Sequence, residues 1–96
     1  MASIFKGVAV NASTGVYVAL GTDTNRRDID VSCTGACYVV TDAVDATAAA
    51  TAASGGAYYQ IPANVIVRLD NVALATTWIR GNTAACVAST KYYQPS

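Results

Sequence analysis

The chain has 96 residues, 53% hydrophobic and 12% charged, and its six basic and six acidic residues cancel. A chain of this length fits one domain that buries roughly 60–65% of the surface exposed when unfolded, and its charged fraction is about half the roughly 25% of an average globular domain, so some uncharged exterior is expected to face another protein. Balanced charge with no basic cluster larger than Arg26-Arg27 argues against nucleic acid as a partner, because counterion release has little to work with, and no apolar run reaches membrane-span length, which argues against a membrane partner.

Met1 to Gly7 lacks the apolar core and cleavage pattern of a secretory signal, so the chain is expected to be made and used without export by its own signal. Residues 1–11 are expected to form an N-terminal arm. Asn11-Ala12-Ser13 matches a glycosylation acceptor and is read as a chance match in that context. Gly15 to Gly21 predicts a strand with Val16, Val18 and Leu20 on one side and Tyr17 and Ala19 on the other. After the polar loop from Thr22 to Arg27, Asp28 to Cys33 alternates cleanly, with Ile29, Val31 and Cys33 inward. Thr34-Gly35-Ala36 predicts a hairpin, with Cys37 to Thr41 as the returning strand and Val31 opposite Val39.

Asp42 to Gly56 breaks the pattern, being dominated by Ala and Thr. A capped helix beginning at Asp42 fits local propensity. An extended loop or edge strand is favoured here, since Ala offers no wide apolar stripe and Thr lowers helix propensity. Tyr58 to Pro62 then leads to a strand Val65 to Leu69, with Val65, Val67 and Leu69 on one face and Pro62 ahead of it, where no ladder donor is lost. Asp70-Asn71 predicts a turn, Leu74 to Ile79 a strand with Leu74, Thr76 and Trp78 together, and Arg80 to Thr83 another turn. Ala84 to Ser89 predicts a strand of small side chains, and residues 91–96 a C-terminal aromatic tail. The fold class expected is all-β: one domain over 1–96, an antiparallel β-sandwich or jelly-roll-like domain of about seven or eight short strands. Its core is expected to hold Val16 or Tyr17, Ile29, Val31, Val39, Val65, Val67, Leu69 and Trp78.

Catalytic signals are sparse. Neither His nor Glu occurs, which removes the commonest general base and metal ligand and makes Ser-His and Cys-His pairs impossible within one chain. Asp23, Asp28, Asp30, Asp42, Asp45 and Asp70 lie among polar residues, where turn formation and solvation of strand faces explain them. Lys6 and Lys91 lie near the termini rather than in a desolvated pocket. No enzyme activity, catalytic residue, cofactor or metal site is expected. Cys33 and Cys37, placed opposite each other by the hairpin, are read either as free buried thiols or as a disulfide. Cys86 is left over, and the odd count favours reduced thiols. Tyr58, Tyr59, Trp78, Tyr92 and Tyr93 are the candidate interface residues, because large rings with polar tips dominate contact energetics.

Gly15 to Gly21, Tyr59-Gln60-Ile61-Pro62-Ala63, Val65 to Leu69, Thr76-Thr77-Trp78-Ile79 and Asn82 to Val87 together resemble small β-sandwich virion structural proteins of tailed bacteriophages, over most of the chain beyond Asn11. The Ala/Thr stretch from Ala46 to Ala53 departs from that pattern. The resemblance implies a capsid decoration or cement protein that stabilises the shell, with the major capsid protein as partner. It also implies a place on the phage particle surface after assembly in the host cytoplasm. Size and low charge add a homo-oligomer, a trimer, with Ala84 to Ala88 and Lys91 to Pro95 as contact elements. Two alternatives stay open. One is a phage neck, tail or fibre component; the other is a cellular or secreted β-sandwich module that holds carbohydrate or peptide through Trp78 and exposed tyrosines.

Overall fold

The computed structural model describes residues 3–12, 14–82 and 84–95, with the side chains of residues 3–6, 8 and 93–95 outside that description. Eight strands form two four-stranded antiparallel sheets. They are β1 (Ser3–Ala12), β2 (Val18–Ala19), β3 (Arg27–Cys33), β4 (Cys37–Val40), β5 (Tyr59–Ile61), β6 (Val67–Val72), β7 (Trp78–Gly81) and β8 (Cys86–Pro95), with helix α1 (Ala46–Ser54) between β4 and β5. The sheets run β1-β8-β3-β6 and β2-β7-β4-β5. This is the sandwich-like all-β architecture that the alternation predicts.

Period-two alternation places the core. Ile29, Val31 and Cys33 of β3 are buried between the sheets while Asp28 is exposed and Asp30 and Ser32 are half-buried. Val39, Ile61, Leu69 and Ile79 meet them there, with Leu20 and Leu74 completing the layer. Of the expected core, Tyr17, Ile29, Val31, Val39 and Leu69 are buried, Val67 and Trp78 are half-buried, and Val16 and Val65 are exposed. Val65 falls outside the core because the strand begins two residues later, at Val67. Trp78 points away from the sandwich core because β7 also begins later than expected: Leu74–Thr76 is a 3₁₀ turn, so Ile79 takes the inward position.

Four further expectations are corrected. Thr34 to Ala36 is not a hairpin: β3 pairs with β6 and β8 while β4 pairs with β5 and β7, so the link crosses from one sheet to the other. Val31 therefore does not pair with Val39. Thr34 is held instead by the third strand at that corner, its N–H donating to the Val87 carbonyl and its Oγ accepting from the Val87 N–H. Asp70-Asn71 does not turn the chain, because β6 continues to Val72 through a register shift opposite Asp28, with Asn71 at φ 57° and its N–H bound by the Asp28 carboxylate. Asn tolerates that left-handed conformation better than most residues. The Ala/Thr segment is a helix, not an extended edge: Asp45 caps it by accepting from the Ala48 N–H at 2.8 Å, and nearly every following residue is Ala or Thr.

The expected arm and tail are the remaining correction. Residues 3–12 and 86–95 pair along their whole length, Ser3 with Pro95 through Ala12 with Cys86. β8 also pairs with β3 on its other side. From Ala88 to Tyr92 the strand is flanked on both sides, so the C-terminal segment is part of the sheet rather than a free tail. Ala88 is fully buried opposite Cys33 and accounts for the small residue there by packing within the chain.

Candidate functional site

Helix α1 lies over the outer face of the β2-β7-β4-β5 sheet, and its composition explains how. Ala49 is fully buried, and Ala46, Ala48, Ala52 and Ala53 pack beside Tyr17, Tyr38, Val40, Ala43 and Trp78. A methyl-sized face lets a helix approach a sheet closely where a Leu stripe would hold it off. Trp78 is tied into this second cluster by its indole N–H, which donates to the Ala43 carbonyl at 2.8 Å.

Beside the helix this layer opens into a cleft of about 300 Å³, walled by Tyr17, Tyr38, Tyr58 and Arg80 and by Ala50, Ala53 and Ser54 of α1. The register builds it: Tyr38 of β4 stands opposite Arg80 of β7 on the same face. The Arg80 guanidinium carbon lies 5.1 Å from the Tyr38 ring centre and 5.5 Å from that of Tyr17. Tyr58 meets Tyr38 edge to face at 5.0 Å. Burial pushes the Tyr17 phenol up from its ordinary pKa, with Arg80 pulling the other way, so Tyr17 is a neutral hydroxyl at physiological pH. Ion pairs join Arg26 to Asp42, Arg27 to Asp23 and Arg68 to Asp30; Arg80 has no carboxylate partner among the described residues, and its buried Nε has no acceptor. Sequence reading placed Arg80 in a turn; the alternation of Trp78-Ile79-Arg80 about a buried Ile79 was the available signal.

The candidate interface residues scatter. Tyr58 lines the Arg80 cleft, Trp78 packs under α1, and Tyr59 is 55% exposed on the edge strand β5. Tyr92 is buried in the sandwich core beneath the Arg27 guanidinium, which lies 5.1 Å from its ring centre, so its ring packs within the chain. The Tyr93 side chain lies outside the described residues.

The cysteines converge although the hairpin does not exist. Cys33 ends one sheet and Cys37 begins the other, and the crossing link brings their Sγ atoms to 2.6 Å as free, buried thiols. Cys86 lies within hydrogen-bonding reach of Cys33. The hydrogen bond to Cys37, aided by burial, raises the Cys33 thiol far above its ordinary pKa, and the same bond lowers that of Cys37. Burial raises Cys86. On the outer face of the other sheet, Arg68 holds Asp30 by two hydrogen bonds, 2.7 and 3.2 Å, and keeps that carboxyl below the usual range.

No family model matches the chain and no curated protein matches it. Among solved structures, one described under "Bacillus endospore appendages form a novel family of disulfide-linked pili" is similar over 97% of this chain and 89% of that one, at 12% identity and a TM-score of 0.42. At that level the likeness carries no functional argument.

Proposed function

We propose that the chain is a non-enzymatic structural protein of a phage particle, a capsid decoration or cement protein that docks on the major capsid protein. The observation that carries this reading is one open side of the sandwich. There β5 and β6, edge strands of the two sheets, flank exposed Tyr59, Val65 and Ile66, of which Ile66 is 69% exposed. Apolar side chains beside unpaired strand edges are a liability in a free monomer, and they fit a surface that another subunit covers. Asp42, Asp70 and Arg68 border the same side, and with Asp42 paired to Arg26 they leave it without a dominant sign of charge. That suits shape-driven contact with a protein rather than electrostatic capture of a polyanion.

In this reading the protein clamps. A homotrimer presents three such edges, and once one edge engages, the others bind their capsid subunits at high effective concentration, so that weak single contacts hold the shell together. Gel analysis of purified particles tests the proposal. A band with abundance near that of the major capsid protein supports it; a few copies per particle indicate a neck, tail or fibre part, and absence from the particle overturns both.

A further inference from the structure

We propose that the Arg80 cleft is a binding site for an acidic sugar, one uronic acid residue of a polysaccharide. The argument is independent of capsid docking, since the cleft shares no lining residue with the open β5–β6 side.

Three observations select the ligand class. Arg80 is a half-buried cation between two rings, with no acidic partner among the described residues and no acidic side chain lining the cleft. A guanidinium so placed has already lost much of its hydration, and a planar carboxylate is the group that best completes it, through paired charge-assisted hydrogen bonds. Second, the walls are ring faces and hydroxyls: Tyr17, Tyr38, Tyr58 and the Ser54 side chain offer apolar surface with polar tips, which matches a pyranose, whose C–H face is apolar and whose rim carries hydroxyls. Third, the strands behind the cleft are largely paired: β4 lies between β7 and β5, and β7 pairs with β4 along its length and with β2 at Trp78 and Ile79. An extended peptide gains its affinity from main-chain pairing along a sheet edge, and β4 and the β4 side of β7, which carry Tyr38 and Arg80, offer none. A volume of about 300 Å³ holds one or two sugar rings and no folded partner.

The experiment titrates the folded full-length chain with a galacturonic acid trisaccharide, following the ring resonances of Tyr38 and Tyr58 by NMR. The neutral galactose trisaccharide and N-acetyl-aspartate amide serve as comparison ligands. The expected result is saturable binding of the acidic trisaccharide with Kd of roughly a millimolar or tighter, and at least about tenfold weaker binding of both comparison ligands. Arg80→Gln should weaken binding about ten- to hundredfold, the loss expected for a hydrogen bond to a charged group. Because Arg80 also packs against two rings, Tyr58→Ala is the second variant: Tyr58 is 42% exposed, so the fold should survive while binding weakens severalfold. No shift of the tyrosine resonances at 10 mM trisaccharide, a concentration about tenfold above the expected Kd, overturns the proposal. So does neutral trisaccharide binding equal to the acidic one, or undiminished binding to a folded Arg80→Gln chain. Binding of N-acetyl-aspartate amide as tight as that of the sugar overturns the saccharide assignment in favour of a peptide carboxylate.

Discussion

Tyr92→Ala tests whether the C-terminal segment belongs to the core. Tyr92 is 7% exposed, pairs across the sheet with Lys6 on one side and Ile29 on the other, and lies under the Arg27 guanidinium. Burying a tyrosine ring removes about 150–250 Å² from water, which at about 25 cal/mol per Å² amounts to about 4–6 kcal/mol. Truncations of buried aromatic residues cost about 3–5 kcal/mol, so about 4 kcal/mol is the expected loss. A chain of 96 residues has a total stability of about 5–14 kcal/mol, so the variant loses a large share of it. With a urea slope of about 1.5 kcal/mol per M, the midpoint falls by about 2.7 M. Chemical denaturation followed by tryptophan fluorescence reads this directly, since Trp78 is the only tryptophan. Tyr92→Phe keeps the ring and should lose about 1 kcal/mol or less. A Tyr92→Ala midpoint within about 0.5 M of the parent, as a dangling tail would give, refutes the reasoning. A Tyr92→Phe loss equal to that of Tyr92→Ala would refute it too, by moving the energy from ring burial to the hydroxyl.

Thr90→Val should raise stability by about 1 kcal/mol in the same assay, because the Thr90 hydroxyl is buried without a hydrogen-bond partner among the described residues and Val has nearly the same shape. Asp45→Ala removes the α1 cap and should cost about 1 kcal/mol, with a small loss of helical signal in circular dichroism. The Asp30 carboxyl should titrate by NMR below the ordinary value of about 3.9 and return to it in Arg68→Gln. Its folded pKa is lowered, so whatever stability this pair contributes is present above the unfolded pKa and is lost as pH falls through the lowered one. All three cysteines are buried, so alkylation of the native chain should be slow, with intact-mass analysis showing three modified thiols only after denaturation; rapid native labelling of Cys33 would contradict its burial and raised pKa.

What was legible in the sequence is what short-range pattern controls. The alternation of β3 correctly assigns Ile29, Val31 and Cys33 to the core, because neighbouring side chains on an extended backbone must point to opposite faces whatever the strand pairs with. Turn-rich punctuation and β-branched runs likewise mark an antiparallel all-β chain. The Ala-rich segment was legible only in part: its propensity fits a helix, which is capped at Asp45 rather than at the expected Asp42, while the lack of large apolar residues hides what the helix packs against; the aromatic face of Tyr17, Tyr38 and Trp78 accepts methyl groups, and that face is assembled from three distant segments.

Strand partners were not legible, because pairing is a choice between segments far apart in sequence. A link of three residues can close a hairpin or step between layers, and β3 steps because β6 and β8 occupy both of its edges. The same choice turns the two chain ends from arm and tail into the longest pair of strands and buries Tyr92. The Arg80 cleft belongs to this second kind of information. Its residues are ordinary in the chain and become a site only when the β4–β7 register sets Tyr38 opposite Arg80 and α1 closes one wall. Local sterics decide which way a side chain points, and only the long-range packing of sheets and helix decides what it points at.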